Sequence, residues 1–132
     1  MLGVIIIGHS QLPNELLKVV SHVVGPQEHV ETVCIEPDDD VDEKHDELLK
    51  KIEKVRTPAG IVIVTDMFGG TPSNLALSFM KHDEVEVLAG ANVPMLIKLF
   101  RMRSGLPMKD TLDEALRAGI KYINLASELL KK

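Results

Sequence analysis

The sequence has few of the features that mark membrane, secreted or nucleic-acid-binding proteins. It holds one cysteine, Cys34, so no disulfide can form within the chain. Its formal net charge of -5 argues against non-specific nucleic-acid binding, which needs clustered Lys and Arg. No apolar run approaches the roughly 20 residues of a membrane span, and the N-terminus lacks the basic leader of a signal peptide. We therefore expect a cytoplasmic protein with no membrane span and no nucleic-acid partner.

The composition that remains is typical of one globular domain. Of the 132 residues, 45% are hydrophobic and 27% are charged, which is enough apolar material for a core of ordinary size. The sequence shows no internal repeat, linker or low-complexity segment. We therefore predict a single domain over residues 1–132.

Short apolar runs alternate with amphipathic helical patterns along the chain. The runs predict strands at 2–7, 30–35, 60–65 and 84–90, and the weaker segment "KYINLA" predicts a last strand at 121–126. Helices are expected in between, at about 11–24, over an apolar face from 41 to 55, after 71, after 92, and at 111–118. Strands that alternate with helices form right-handed βαβ units. The fold class is therefore predicted as α/β, with a doubly wound, mainly parallel sheet and helices on both faces.

Three polar residues stand where helices are expected to begin. Ser10 is predicted to cap the first helix, and Asn92 to cap the helix after the fourth strand. Thr71 is predicted as the cap of the third helix, with Pro72 in the first helical position.

His9 and Asp66 follow two of the predicted buried strands. Parallel sheets bind ligands at the carboxyl ends of their strands, near the point where the strand order reverses, and both residues belong to that edge. A neutral imidazole is a competent nucleophile near neutral pH, since its reference pKa is about 6.5. A carboxylate bonded to the far ring nitrogen would fix its tautomer and orientation. His9 and Asp66 are therefore candidates for a nucleophile and its orienting carboxylate, although the pattern alone does not name a reaction.

The surrounding residues have the chemistry to bind a phosphoryl group. Amides at the helix starts after Ser10 and Thr71, together with the Thr71 hydroxyl, are candidate donors to its oxygens. Gly69 and Gly70 let the backbone approach closely. Each of these residues also has an ordinary structural explanation as a helix cap or a turn. No other histidine is paired with a His or Cys at metal-ligand spacing, so no metal site is expected.

Three segments in this order resemble one known family. "GVIIIGHS", "VIVTDMFGGTPSN" and "VEVLAGANVPML" are similar to the mannose-type (mannose/fructose/sorbose) enzyme IIA component of the bacterial phosphoenolpyruvate-dependent sugar phosphotransferase system (PTS), over nearly the whole chain. The resemblance implies that His9 is phosphorylated by a histidine phosphocarrier protein and passes the group to a IIB protein or a regulatory target. It also implies that Asp66 bonds the ring, that Thr71 lies near the phosphoryl group, and that Phe68 stands at the rim of the site.

The resemblance carries further expectations about fold and assembly. It implies four parallel strands plus one C-terminal antiparallel strand, exchanged between the two subunits of a homodimer, and "KYINLA" would be that strand. It implies no metal or organic cofactor, because the phosphoryl group arrives already activated on a protein. Ser10 departs from the glycine that commonly follows the active histidine in transport members. No IIB domain follows in the sequence, which leaves a regulatory role open beside sugar transport.

Three alternative functions remain open from the residues. The His9-Ser10 pair also resembles the phosphocarrier subunit that feeds dihydroxyacetone kinases, although "DMFGGTPSN" is similar to the sugar-system motif. A second alternative is a non-catalytic regulatory module that binds a small anion in the same crevice. A third is a dimeric scaffold in which His9 and Asp66 only bond to each other.

Overall fold

The computed structural model describes residues 1–131 as an α/β fold with ten helices and strands. In chain order they are β1 (Gly3–His9), α1 (Leu12–Val24), β2 (Val30–Ile35), α2 (Val41–Val55), β3 (Ile61–Thr65), α3 (Thr71–Ser78), β4 (Val85–Ala89), α4 (Val93–Met102), α5 (Met108–Lys121) and α6 (Ala126–Leu129). Within those residues, no helix combines the length and the hydropathy needed to cross a bilayer.

The four strands form one parallel sheet in the order β2-β1-β3-β4. The predicted doubly wound parallel sheet is therefore confirmed. The chain passes from β1 to β2 on one side and then returns to β3 on the other side of β1. The strand order thus reverses between β1 and β3, and a crevice opens at their carboxyl ends.

Alternating residues of the central strands supply two apolar cores, one on each face of the sheet. Ile5 and Ile7 of β1 pack toward α2 and α3, whereas Val4 and Ile6 pack in the cluster built with α1, α4 and α5. All four side chains are fully buried, and each contributes roughly 1.5–3 kcal/mol to stability relative to an exposed position. Burial on both faces explains why these strands read as continuous apolar runs.

Helix α2 covers its face of the sheet with a narrower stripe than the sequence pattern predicts. Leu48, Ile52 and Val55 are buried, but Val41 and Leu49 are exposed. The helix packs on β2 and β1, and its exposed Val41 lies in an open groove shared with α3.

Two of the three predicted helix caps are wrong. Ser10 has a φ of +54° and its amide donates to Ile35 O at 2.8 Å, so it still belongs to the strand edge, and α1 begins two residues later without a side-chain cap. Thr71 is the first residue of α3, and Gly70 holds the cap position. Asn92 is confirmed as a cap, because its side chain accepts a hydrogen bond from Met95 N at 3.0 Å.

The predicted strand at 121–126 is not formed within the chain. Helix α5 runs from Met108 to Lys121, past both ends of the predicted 111–118 helix, and α6 begins at Ala126. Thr111, Ala115 and Ala118 are buried where α5 packs on α4, so this helical face, rather than the apolar residues that follow it, determines the local structure.

A buried arginine donates hydrogen bonds to the backbone just before β1 and β2, at the end of the sheet opposite the crevice. The Arg103 guanidinium, 2% exposed, donates to the carbonyl oxygens of Leu2, Glu28 and His29 at 3.1, 2.5 and 3.2 Å. No carboxylate within residues 1–131 bonds it directly, and burial lowers its pKa. The sequence analysis assigned this residue no role.

Candidate functional site

The reversal of strand order brings His9 and Asp66 into direct contact. His9 ends β1, and Asp66 follows the last residue of β3. Asp66 Oδ2 accepts two hydrogen bonds from the same residue: one from His9 N at 2.9 Å and one from the ring Nδ1 at 2.8 Å. The carboxylate therefore fixes both the main chain and the ring of His9.

The second oxygen of Asp66 is also held by the protein. Oδ1 accepts from Met67 N at 2.9 Å and from Thr65 Oγ1 at 3.3 Å. Burial of the Asp66 carboxyl raises its pKa. The hydrogen bonds from the His9 amide and ring, the charge of the ring and the Met67 amide act in the opposite direction. Their sum is larger, so the pKa of Asp66 lies below its ordinary 3.8. An ionised Asp66 accepts only, so Nδ1 must carry a proton.

Protonation at Nδ1 decides which nitrogen is reactive. In the neutral ring the lone pair then resides on Nε2. The His9 side chain is 50% exposed while that of Asp66 is only 12% exposed, so the ring reaches solvent while its orienting partner does not. The arrangement presents Nε2 as a nucleophile at the mouth of the crevice.

Two glycines permit the close packing around this pair. A Cβ at position 8 would lie 3.1 Å from Asp66 Cγ and Oδ2, and a Cβ at position 70 would lie 3.1 Å from His9 Nε2. Both distances are shorter than most Cβ contacts. Sequence reasoning treated Gly8 only as the end of the strand, because the neighbour that would clash with a larger residue is 58 positions away.

The β3–α3 loop and the start of α3 carry the other candidate residues, of which Gly70 lies against the ring. Gly69 N donates to Ser73 Oγ at 2.9 Å, so this amide is already used within the protein. Across residues 1–131, the amides of Gly70 and Thr71 and the Thr71 hydroxyl donate to no protein atom. Phe68 is exposed, as is Met67, which the sequence analysis did not single out.

The edge that carries the site is acidic. The loops after the four strands (10–11, 36–40, 66–70 and 90–92) contain no Lys or Arg, and their acidic residues are Glu36, Asp38, Asp39, Asp40 and Asp66. Lys44, in α2, is engaged with Asp39 and Glu47. Negative charge on a bound group must therefore be met by backbone amides and helix N-termini. No group of three or more His, Cys, Asp or Glu in residues 1–131 is placed to hold a metal ion.

The His9 contact should be measurable in the titration of Asp66. We expect the carboxyl to titrate below 3.8 in the wild type and at a higher pH in His9→Ala, which loses the ring bond and the ring charge but keeps the residue 9 amide. Carbon-13 NMR of the carboxyl carbon measures both midpoints. Because folding lowers this pKa, ionised Asp66 stabilises the fold above pH 3.8, and the contribution is lost as the pH falls through the folded value.

Glu47 is the control for that titration. Burial raises the pKa of Glu47, but the hydrogen bonds and charges of Lys51 and Lys44 lower it below its ordinary value. His9 is not among the causes of this shift. The Glu47 midpoint should be the same in both proteins. An Asp66 midpoint that does not move in His9→Ala would contradict the assigned contact.

Comparison with known proteins identifies the family. Residues 3–116 match the EIIA-man family, described as PTS system fructose IIA component. The chain is 30% identical to the PTS system fructose-specific EIIA component of Bacillus subtilis (strain 168), over 100% of this chain and 91% of that protein. It is also 30% identical to the PTS system mannose-specific EIIAB component of Escherichia coli (strain K12), over 90% of this chain and 39% of that protein.

A solved structure agrees with this assignment. The crystal structure of phosphotransferase system component EIIA from Streptococcus agalactiae matches with a TM-score of 0.85 and 26% identity, covering 97% of this chain and 99% of that one. The resemblance inferred from the three sequence segments is thus confirmed. The chain belongs to the EIIA-man family of phosphotransferase-system EIIA components.

Proposed function

We propose that the protein is a phosphocarrier that accepts a phosphoryl group on His9 Nε2 from a histidine phosphocarrier protein and passes it to a IIB protein or a regulatory target. The observation that carries the proposal is the bond from His9 Nδ1 to Asp66, which leaves Nε2 unprotonated at the switch point. When His9 is loaded, its Nε2 lone pair forms a new N–P bond, the P–N bond to the donor histidine breaks, and the donor nitrogen keeps the bonding electron pair. In the onward transfer a nucleophile of the acceptor forms the new bond to phosphorus, the Nε2–P bond breaks, and Nε2 keeps the electron pair.

Asp66 has an electrostatic role in this reaction. Once Nε2 carries phosphorus while Nδ1 keeps its proton, the ring bears positive charge. The Asp66 carboxylate lies 2.8 Å from Nδ1 and stabilises that charge through a charge-assisted hydrogen bond. It also holds the ring in one orientation before the donor arrives, which removes an entropic cost from the transfer.

The phosphoryl oxygens are assigned to the start of α3. The Gly70 and Thr71 amides and the Thr71 hydroxyl are the donors, and the helix N-terminus favours their negative charge. The Ser10 hydroxyl and the amides at the start of α1 are assigned as a second set of donors, since the Ser10 amide is already bonded to Ile35 O. The Gly69 amide can donate to the phosphoryl group only if its hydrogen bond to Ser73 Oγ is broken.

The partners follow from the family and not from the site alone. Relatives are described as fructose-, mannose- and sorbose-specific, so the sugar is left unassigned. We assign a cytoplasmic location, with a histidine phosphocarrier as the donor. No observation on this chain favours a dihydroxyacetone kinase over a IIB protein as the acceptor.

We also propose a homodimer in which residues 121–126 pair antiparallel with β4 of a second copy. At the outer strand β2, Lys51 Nζ bonds one carbonyl, Thr32 O, at 2.5 Å. Within residues 1–131 the outer edge of β4 pairs only at Val85, with Lys81, and a groove of about 530 Å³ runs between β4 and α5. Ile123 and Leu125, which follow α5, are exposed, as we expect for a segment that pairs with a second subunit.

His9 phosphorylation is tested by intact-mass analysis after incubation with phosphoenolpyruvate, the first enzyme of the pathway and its histidine phosphocarrier. We expect one acid-labile phosphoryl group per chain in the wild type and none in His9→Ala. Asp66→Asn should be labelled about 10- to 100-fold more slowly with the fold intact, because the ring loses its orienting charge. Full labelling of His9→Ala would contradict the assignment. Reversible anion binding without added mass would indicate the regulatory module instead.

Gly70 is expected to keep the reactive nitrogen accessible. Gly69 and Gly70 have φ angles of +97° and +92°, so alanine strains both positions, but only a Cβ at position 70 contacts His9 Nε2. At an equal folded fraction, Gly70→Ala should label at least about tenfold more slowly than Gly69→Ala. The same mass assay, run as a time course, compares them. Equal rates would show that the Gly70 contact does not control access.

The dimer is tested by light scattering coupled to size-exclusion chromatography. We expect the wild type to elute with the mass of two chains and Ile123→Asp with the mass of one, because a buried carboxylate would lack a partner in the paired strand. Leu129→Asp is the matched control, since Leu129 is also exposed but lies in α6. A monomeric wild type would rule out the exchanged strand.

A further inference from the structure

Ser73 is a buried polar residue that the sequence analysis passed over. Its side chain is completely buried in the first turn of α3. Its Oγ accepts a hydrogen bond from Gly69 N at 2.9 Å and donates to Gly70 O at 3.3 Å. One hydroxyl thus bonds the amide of Gly69 and the carbonyl of Gly70, the two ends of the glycine pair whose second member lies next to the His9 ring.

The segment it holds needs an external restraint. Gly69 and Gly70 both have positive φ, and Gly70 has a ψ of 175°, a conformation available essentially only to glycine. Two successive glycines have many alternative conformations in solution, and nothing in their own chemistry selects this one. The other anchor of the loop is the Met67 amide on Asp66 Oδ1, and the Met67 and Phe68 side chains between the anchors are exposed.

The Gly69–Gly70 segment lies next to the Nε2 atom of His9, so its conformation affects the surroundings of that nitrogen. The Gly70 backbone lies against the ring so closely that a Cβ there would be 3.1 Å from Nε2. The Gly70 and Thr71 amides, which have no protein partner within residues 1–131, belong to the same turn. A change in the Gly69–Gly70 conformation would therefore move the amides relative to the reactive nitrogen, while the Asp66–Nδ1 bond on the opposite side of the ring stayed intact.

We propose that Ser73 is a positioning residue for phosphoryl transfer, holding the Gly69–Gly70 turn so that its amides meet the phosphoryl group on His9 Nε2. The inference rests on the proposed function of His9. Within residues 1–131 Ser73 Oγ bonds Gly69 N and Gly70 O and makes no hydrogen bond with the ring, so it acts through the loop. Its loss should slow the transfer step without weakening the docking of the donor protein, because the Ser73 side chain is buried and the exposed Met67 and Phe68 side chains are unchanged.

The chain offers a matched control in Ser78. Ser78 lies in the same helix, and its Oγ donates to the carbonyl three residues earlier, Leu75 O, at 2.7 Å, as Ser73 Oγ does to Gly70 O. It accepts no loop amide. Ser78→Ala therefore removes the same kind of intrahelical bond and leaves the glycine turn untouched.

The experiment measures single-turnover transfer from the phosphorylated histidine phosphocarrier to each variant at an equal folded fraction. We expect Ser73→Ala to lower the maximal transfer rate about tenfold or more, with the donor concentration at half-maximal rate changed less than about twofold. Ser78→Ala should match the wild type, and Ser73→Thr, which keeps the hydroxyl, should recover most of the rate. If Ser73→Ala does not fold, Ser73→Cys keeps the volume with a weaker acceptor and should show the same loss.

A second readout separates positioning from ordinary helix capping. In nitrogen-15 spectra of the unphosphorylated protein, Ser73→Ala should shift His9 Nε2 and the Gly70 amide while Nδ1 stays protonated. If Ser73→Ala transfers as fast as Ser78→Ala, or if the Nε2 signal does not move, the inference is wrong although the proposed function stands. If the wild type itself accepts no phosphoryl group, the proposed function fails first, and the role of Ser73 in transfer fails with it.

Discussion

The site depends on one carboxylate oxygen that accepts both the main-chain and the ring N–H of His9. This arrangement requires β1 and β3 to be parallel neighbours with their carboxyl ends level, which the paired register from Gly3 to Ile7 provides. It also requires Gly8, because any side chain there would press on the Asp66 carboxylate. The buried apolar strands thus act as a rigid frame that sets the separation of two polar groups, and the chemistry follows from that separation.

The charge around the site favours transfer of a phosphoryl group from a partner protein over reversible binding of a free anion. The strand-end loops contain no Lys or Arg and carry acidic residues after β2. A small anion would approach this edge against an unfavourable potential and would find only uncharged amide and hydroxyl donors to bind it. A partner protein can approach the same edge through its own basic or apolar groups, and Met67 and Phe68 are exposed there. The proposed covalent attachment to His9 would not depend on anion affinity.

Sequence patterns predicted the strands and the His9–Asp66 pair because both depend on local order: an apolar run, then a polar residue where the run ends. They did not predict features that depend on distant partners or on loop conformation. Arg103 bonds Leu2 O across 101 positions, and Ser10 is bound to Ile35 O, which moves the start of α1. Ser73 is recognisable only once the two glycines are known to have positive φ. The segment 121–126 has a strand-like composition, but in residues 1–131 it forms no strand, because α5 extends to Lys121 and α6 begins at Ala126.

Two glycines, which lack a side chain, allow protein groups to pack closely on both sides of the His9 ring. On the Nδ1 side, Gly8 lets the carboxylate approach; on the Nε2 side, Gly70 lets the backbone approach. Half of the imidazole side chain remains exposed, so in the proposed transfer the donor has a restricted direction of approach. The two sides differ in what holds them: Asp66 is fixed by four hydrogen bonds at its carboxylate, whereas the glycine turn is bonded by Ser73. Under the proposed function, orientation of the ring and binding of the phosphoryl group are therefore separable, each dependent on a different part of the β3–α3 connection.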